Sequence, residues 1–297
     1  MQNKQLCPAK VNLFLEVTGK RPDGYHELAT LFAKIDWCDK LTVDAEPAEE
    51  TAVSLSLTGP LGARLQADGS NIAVKAAHAF FTKFGLKARC HITLEKHIPM
   101  GAGLGGGSSD GAGVLRALCA IFGKQPLDTL DIAAKLGADV PVFLYKETFL
   151  KGEGIGEILT PVDAPGPLPW VVLVYPETLI PTKNVFKRLV LPSSGESLTN
   201  VSNLDKLISD IRCGAPLQAW KRFLFNRLEE CVVPFTEAVR NVREELQKHK
   251  SNAVLMSGSG STVFALVPTE KEAEDLVKII NKQERIVSLT TFRRAKG

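Results

Sequence analysis

The residues best suited to chemistry lie between Pro99 and Asp110, in the order Pro-Met-Gly-Ala-Gly-Leu-Gly-Gly-Gly-Ser-Ser-Asp. Five glycines fall in the seven residues from Gly101 to Gly107, followed by two hydroxyls and an acid. A loop so poor in side chains lets a ligand approach its backbone N–H groups. Upstream, Ile92 and Leu94 alternate with Thr93 and Glu95, which predicts a strand. Downstream, Val114, Leu115, Leu118 and Phe122 mark one face of a helix. Strand, glycine loop and helix start direct free amides and the positive end of a helix dipole to one place, which suits a phosphate.

Three glycine loops compete for this pattern. The P-loop needs a Lys directly before the Ser, and Gly107 stands there. Gly101, Gly103 and Gly106 fit the dinucleotide spacing. That fingerprint also needs an acid ending a second strand about 20 residues on, and Asp128 and Asp131 lie in a helix-like stretch instead. The protein-kinase loop needs H-R-D and D-F-G tripeptides, which the chain lacks. The loop alone therefore indicates ATP or a similar polyphosphate.

Other residues have chemistry only in context. Val11, Leu13, Leu15 and Val17 alternate with Asn12, Phe14 and Glu16, predicting a strand with one buried face. Lys10 and Asn12 share its other face, where solvation is the plain reading. Pro22-Asp23-Gly24 is a turn, followed by Tyr25 and His26 at the start of a strand. Lys96 ends the strand before the glycine loop, placed either at the surface or where its ammonium leans over bound phosphates. Asp139 follows the helix-stopping Gly137 and precedes the apolar run Val140–Phe143, as a turn or capping aspartate would.

These side chains need a scaffold. Leu41–Val43 and Val53–Leu57 are predicted strands. Asp68-Gly69-Ser70-Asn71 opens a helix carrying Val74, Ala77, Phe81 and Phe84, closed by Gly85. Leu127–Leu136 is a short helix, and Lys151–Glu157 a charged glycine-rich turn. Three prolines and a glycine in Asp163–Pro169 mark a linker and divide the chain into domains 1–162 and 168–297. Trp170–Tyr175 is a buried strand. Residues 203–248 show mostly helical periodicity, with an apolar stripe at Leu217, Trp220, Leu224 and Leu228. Two strands flank Ser257–Thr262, and a helix at 269–282 and a strand near 286–293 end the chain.

Composition bounds the class. The 297 residues are 44% hydrophobic and 23% charged, ordinary for a globular protein. A net charge of +3 is too mild to imply nucleic acid or a membrane surface. The six cysteines are scattered, without C-x-x-C pairs or nearby histidines, as expected of reduced thiols in a cytoplasmic protein. No apolar run reaches spanning length, and a motif-bearing segment starting by Pro8 leaves no room for a cleaved leader.

Pro99–Asp110 resembles the phosphate loop of the GHMP kinases, the superfamily of galactokinase and the homoserine, mevalonate and phosphomevalonate kinases. Pro8-Ala9-Lys10-Val11-Asn12-Leu13 resembles the first motif of the family, and Ser257–Thr262 its third. The resemblance implies an α+β fold of two domains: a ribosomal-protein-S5-domain-2-like N-terminal domain and a ferredoxin-like C-terminal domain. It implies ATP and Mg²⁺ as cofactors. ATP would be bound by Lys96, Pro99, Met100, Gly101, Ala102, Gly103, Leu104, Gly105, Gly106, Gly107, Ser108 and Ser109. Asp139 would be the base, with Lys10 orienting it, keeping it ionised and stabilising the transferring charge.

Gly19–His26 and the following Glu27–Phe32 resemble the stretch with which one member of the family holds a cytosine ring. The implied acceptor is a small molecule, a cytidine diphosphate-linked methylerythritol phosphorylated on its 2-hydroxyl. Its contacts would be Asn12, Tyr25, His26, Asp139, Thr182 and Phe186, with Tyr25 and Phe186 sandwiching the base. The metal ligands are not assigned; Ser108, Ser109 and Glu153 are candidates. A homoserine- or mevalonate-type kinase and a non-catalytic sensor are the alternatives. The chain departs from the family in its serine-rich third motif and in Lys146-Glu147-Thr148.

Overall fold

The structure is a computed structural model and describes residues 1–249, 253–280 and 285–293. Two compact units emerge. The first comprises Met1–Ala9, Trp37–Met100 and Gly105–Lys146; the second comprises Lys10–Asp36, Gly101–Leu104 and Glu147–Gly297. Two long strands, β1 (Gln2–Lys20) and β2 (His26–Pro47), contribute to both. The linker at Asp163–Pro169 belongs to the second unit.

In the first unit, β3 (Ala52–Thr58), α1 (Ile72–Phe84) and β4 (Ala88–Glu95) form a crossover unit. β3 and β4 pair in parallel from Ala52↔Arg89 to Thr58↔Glu95, which requires the intervening helix to return the chain. β4 pairs antiparallel with β2 from Lys40↔Glu95 to Pro47↔Ala88. The side chain of Asn71 accepts from the Ala73 N–H and caps α1, and Gly85 ends it in the left-handed conformation at φ 62°. Both follow the sequence signals. α2 (Gly106–Phe122) and the short α3 (Leu130–Leu136) complete the unit. The first turn of the predicted 127–136 helix is 3₁₀, starting at Pro126. An aromatic cluster of Phe80, Phe81, Phe84 and Phe122 joins α1 to α2, with ring centroids 4.7–6.1 Å apart.

In the second unit, β5 (Phe149–Glu153) pairs with β2 and forms a hairpin with β6 (Ile158–Val162). The charged glycine turn is the hairpin's tip. A four-stranded antiparallel sheet follows: β7 (Trp170–Tyr175), β9 (Val254–Met256), β10 (Val263–Val267) and β11 (Ile286–Thr291), in order β11-β7-β10-β9. Between β7 and β9 come α4 (Thr182–Arg188), α5 (Ser194–Arg212), α6 (Leu217–Trp220), the short strand β8 (Phe225–Asn226), α7 (Glu229–Val232) and α8 (Glu237–Lys248). α9 (Glu270–Ile279) links β10 to β11. With α8 and α9 as its helices, the strand order is that of the ferredoxin-like β-α-β-β-α-β motif. Val172, Val174, Val239, Val242, Leu246, Val263, Ala265 and Leu276 are among its buried core. Residues 281 and 282 of the predicted last helix lie outside the described residues.

One expectation fails for a physical reason, and another is refined. β1 is not buried on one face only: all residues from Cys7 to Val17 are buried. Its second face carries the polar residues Lys10, Asn12 and Glu16, which can be buried because each has a hydrogen-bond partner there. The 203–248 segment is mostly helical, as its periodicity predicts, and is interrupted by the short strand β8. Phe225 and Asn226 pair in parallel with Phe14 and Leu15, because the edge of β1 offers backbone partners that helical periodicity cannot report. Leu217, Trp220 and Leu228 are nevertheless buried, as the stripe predicts. Among the described residues no helix is long and apolar enough to cross a membrane.

α2 approaches the start of β1 through Gly113. A Cβ there would lie 2.3 Å from the Sγ of buried Cys7. Gly113→Ala is expected to destabilise by about 1–3 kcal/mol through overpacking, despite its better helix propensity. Adding Cys7→Ala should recover most of the loss, and urea unfolding of the double-mutant cycle checks it.

Candidate functional site

The glycine loop has a conformation that only glycine adopts cheaply. Gly101, Gly103 and Gly105 have φ of 62°, 76° and 68°, the left-handed region that costs an L side chain roughly 1–2 kcal/mol. Between them Ala102 and Leu104 are buried and anchor the loop. Alternating left-handed residues turn successive N–H groups to one side, which makes an anion-binding concavity. The carbonyls of the loop are meanwhile occupied. Ala102 O accepts from the Thr262 N–H at 3.2 Å and Leu104 O from the Lys10 N–H at 2.9 Å. Gly103 O accepts from the Ser257 hydroxyl at 2.9 Å. With its acceptors tied down, the loop presents donors, as a polyphosphate requires. Gly103 also has no room for a side chain, since a Cβ would lie 2.1 Å from Ser257 O.

In the first unit, α2 begins at Gly106 with Gly105 as N-cap and no side-chain cap, so its first-turn amides can serve an anion. Beneath them lies a buried ion triad. The Lys96 ammonium donates to Asp39 and to Asp110, each at 2.6 Å, and all three side chains are at most 3% exposed. Asp39 also accepts from the N–H groups of His97 at 2.5 Å and Ile98 at 2.8 Å. Asp39 thus holds the chain where it leaves β4 for the loop, and Asp110 ties in α2. Burial pushes the Asp110 carboxyl up to about 8, opposed by Lys96 and reinforced by the negative charge of Asp39. Burial also works against the Lys96 ammonium, but the two carboxylates outweigh it and hold its pKa above the ordinary lysine value. The Ser109 hydroxyl and one Asp110 oxygen are buried without a hydrogen-bond partner.

Lys96 therefore does not lean out over the loop with a free ammonium. Its ammonium is held beside Gly106 at the start of α2, by acidic residues that sequence alone does not pair with it. Asp139 lies in the same unit, half-buried, between Gly137 and the 3₁₀ turn Pro141–Phe143; the Val140 N–H donates to Gly137 O at 3.0 Å.

In the second unit, Lys10 and Asn12 are 4% and 1% exposed, so the solvated reading of that strand face fails. They open a hydrogen-bond chain. Lys10 Nζ donates to Asn12 Oδ1 at 2.9 Å, Asn12 Nδ2 to Thr30 Oγ1 at 2.9 Å, and the Thr30 hydroxyl to Phe14 O at 2.6 Å. The ammonium lies 5.7 Å from the centre of the Phe32 ring. Thr30 orients Asn12, and Asn12 orients Lys10. Thr30 was not singled out from the sequence because a β-branched residue in a strand is ordinary.

The aromatic residues share this unit. The turn before β2 is closed by the Arg21 N–H on Tyr25 O at 2.7 Å, and Gly24 has φ 90°. His26 stacks on Phe186 of α4, with ring centroids 4.8 Å apart and planes at 25°. Tyr25 is 60% exposed. The ring found against Phe186 is thus that of His26 rather than Tyr25. Burial, then the charge of Lys20, lowers the His26 pKa, favouring a neutral imidazole that can both donate and accept. Thr182 Oγ1 lies 2.8 Å from Ser259 Oγ. Asn226 at the end of β8 donates to Met256 O at 2.7 Å and Gly258 O at 2.8 Å, fixing the serine–glycine turn. Nothing in the run Leu224–Arg227 distinguishes that asparagine in sequence.

The triad has a measurable consequence. The Asp110 pKa is raised above its unfolded value, so the folded chain binds more protons than the unfolded one between about pH 4 and pH 8. Its contribution to stability is present at low pH and lost as pH rises through about 8. Asp110→Asn should flatten the fall in stability between pH 5 and pH 8, by at most about 1.4 kcal/mol per pH unit for one proton. Urea unfolding at several pH values measures the slope; an unchanged slope would place the proton elsewhere.

The chain matches the GHMP kinases N terminal domain family over residues 71–147 and the GHMP kinases C terminal family over residues 210–285. It is 39% identical over 279 residues to the 4-diphosphocytidyl-2-C-methyl-D-erythritol kinase of Cereibacter sphaeroides, covering 93% of each chain. The crystal structure of a 4-(cytidine 5'-diphospho)-2C-methyl-D-erythritol kinase superposes with a TM-score of 0.77 at 31% identity, covering 99% of this chain and 100% of that one. A homoserine kinase from Cytophaga hutchinsonii reaches a TM-score of 0.78 at 18% identity, over 98% of this chain and 95% of that one. The fold alone is therefore common to kinases with different acceptors, and sequence identity carries the finer distinction. The chain belongs to the GHMP kinases and, within them, to the family of the 4-diphosphocytidyl-2-C-methyl-D-erythritol kinases.

Proposed function

We propose that the protein transfers the γ-phosphoryl group of ATP to the 2-hydroxyl of 4-diphosphocytidyl-2-C-methyl-D-erythritol, a step of the non-mevalonate route to isoprenoid precursors. The observation that carries this reading is the identity of 39% with a kinase of that name, extending over 93% of both chains. The aromatic pair of His26 and Phe186 supports it, because a base needs a flat apolar face and a polar edge. In this reading the cytosine lies between Tyr25 and Phe186. His26 moves off Phe186 and reads the polar edge of the base as a neutral ring.

The residues proposed for ATP run from Pro99 to Ser109, with Lys96 in a supporting place beneath them. Phosphoryl transfer needs positioning and charge neutralisation more than covalent chemistry. The acceptor oxygen bonds to the γ-phosphorus as the bond to the β–γ bridging oxygen breaks, and ADP leaves. The hydroxyl is a weak acid, so its proton passes to Asp139 late, as the new P–O bond forms. In this reading Lys10, held by Asn12, orients Asp139 and stabilises charge on the phosphoryl oxygens. Thr182 and Asn12 complete the acceptor contacts.

Mg²⁺, when bound, neutralises charge on the phosphate oxygens. The oxygen donors at the start of α2 suit such a hard cation: the half-buried Ser108 hydroxyl and the unpartnered Ser109 hydroxyl would hold it, with phosphate and water filling its shell. Glu153 is less suited, being 3.5 Å from the Lys151 ammonium. We further propose the domain division 1–162 and 168–297, each part containing one of the two family matches. Cytoplasmic placement is supported by six cysteines that form no disulfide bond. Neither nucleic acid nor a membrane is a partner in this reading.

A coupled ADP-release assay with the cytidine acceptor, homoserine and mevalonate tests the assignment. Turnover is expected with the cytidine acceptor alone. Turnover only with another alcohol, or nucleotide binding without turnover, would reject it. Asp139→Asn and Lys10→Ala should each lower kcat at least about 10²-fold with acceptor binding largely retained. Near-normal kcat in both would refute the assigned roles.

A further inference from the structure

The serine-rich third motif has a use that the mechanism above leaves out. Each of its three serines is bonded to a different part of the second unit. The Ser257 hydroxyl donates to Gly103 O of the phosphate loop at 2.9 Å. The Ser259 hydroxyl pairs with the Thr182 hydroxyl at the start of α4 at 2.8 Å. The Ser261 hydroxyl donates to Thr178 O, in the segment leading to that helix. Ser257 and Ser261 are fully buried, and Ser259 is half-buried. The turn itself is rigid: Gly260 N–H donates to Ser257 O and Ser257 N–H to Thr262 O, both at 2.9 Å. Asn226 holds the Met256 and Gly258 carbonyls.

A second contact joins the same two parts directly. Leu179 lies over Gly101, so closely that a Cβ on that glycine would lie 2.1 Å from Leu179 Cδ1. The segment Thr178–Thr182 is therefore fastened to the phosphate loop twice, once through the serine turn and once through Leu179. Four residues beyond Thr182, on the same short helix, is Phe186. A loop that tightens around a nucleotide pulls on Gly103 O and on the Leu179 contact, and both lead into α4.

We propose that Ser257, Ser259 and Ser261 are positioning residues that couple nucleotide bound at Gly101–Leu104 to the acceptor-binding residues Thr182 and Phe186, so that each substrate strengthens binding of the other. The proposal rests on the ATP and acceptor sites assigned above and adds the linkage between them. Coupling between two sites is reciprocal and typically amounts to about 5–150-fold in affinity. The third motif then serves both substrates. Its hydroxyls explain why serine stands at positions where glycine-rich turn geometry alone would accept other small residues.

Amide hydrogen exchange of the full chain, with and without a non-hydrolysable ATP analogue and with no acceptor present, tests the linkage. The analogue is expected to slow exchange in residues 177–188 of the wild-type protein by at least about 5-fold. The Ser259→Ala, Ser261→Ala double variant should lose that protection while binding the analogue within about 3-fold of wild type. Should burial of Ser261 compromise folding of the double variant, Ser259→Ala alone reads the same effect. Ser259→Thr, which keeps the hydroxyl, should restore it. Insensitivity of 177–188 to the analogue in the wild type, or protection that survives in the variants, overturns the proposal. Because no acceptor is used, failure of the acceptor assignment shows in turnover and leaves this readout intact.

Discussion

The interaction on which the rest depends is the capture of the phosphate loop's carbonyls. Every glycine loop carries as many acceptors as donors, and acceptors repel phosphate. Here Ala102, Gly103 and Leu104 give up their carbonyls to Thr262, Ser257 and Lys10. The N–H groups are left for the ligand. The left-handed glycines make this arrangement sterically affordable. Gly103 in particular must lack a side chain, because the Ser257 carbonyl lies where a Cβ would be. The first and third family motifs thus hold the second in shape, which gives a physical reason for all three to occur in one chain.

A buried polar group survives only when its partners are in place. Two such networks occur, one in each unit. In the first unit, Lys96 is held between Asp39 and Asp110, fixing the exit of β4 and the start of α2. In the second, Lys10, Asn12 and Thr30 form a chain along β1 and β2. The two lysines have opposite meanings. Lys96 is a structural cation, held between Asp39 and Asp110. Lys10 is oriented by an amide, the side chain of Asn12, to which its ammonium donates at 2.9 Å.

The glycine loop, the helix and strand before and after it, and the caps of α1 were legible because each has a local signature: spacing, a capping side chain, a glycine past a helix end. Periodicity alone assigned Lys10 and Asn12 to a solvated face, and only the first family motif singled them out; both are buried. What stayed hidden depends on distant partners. Asp39, in Asp36-Trp37-Cys38-Asp39-Lys40, has no local signature and gains its role only when the fold brings Lys96, 57 residues on, against it. Asn226 lies in a stretch with helical periodicity and becomes a strand residue only because β1 has an edge to pair with. The serines of the third motif looked like a departure from the family pattern, and their hydroxyl partners explain them. His26 on Phe186 could not be foreseen, since the sequence marks aromatic residues but not which ring meets which.

The central claim is that phosphate passes from ATP to one particular hydroxyl of a cytidine-bearing acceptor. The most direct measurement is the ³¹P NMR spectrum of the product formed from ATP and 4-diphosphocytidyl-2-C-methyl-D-erythritol, recorded with proton coupling. The account predicts a new phosphomonoester resonance without vicinal proton splitting, because the carbon bearing the 2-hydroxyl carries a methyl group and no hydrogen. A phosphomonoester signal split by neighbouring protons, or no new phosphomonoester beside unconsumed acceptor, would contradict it.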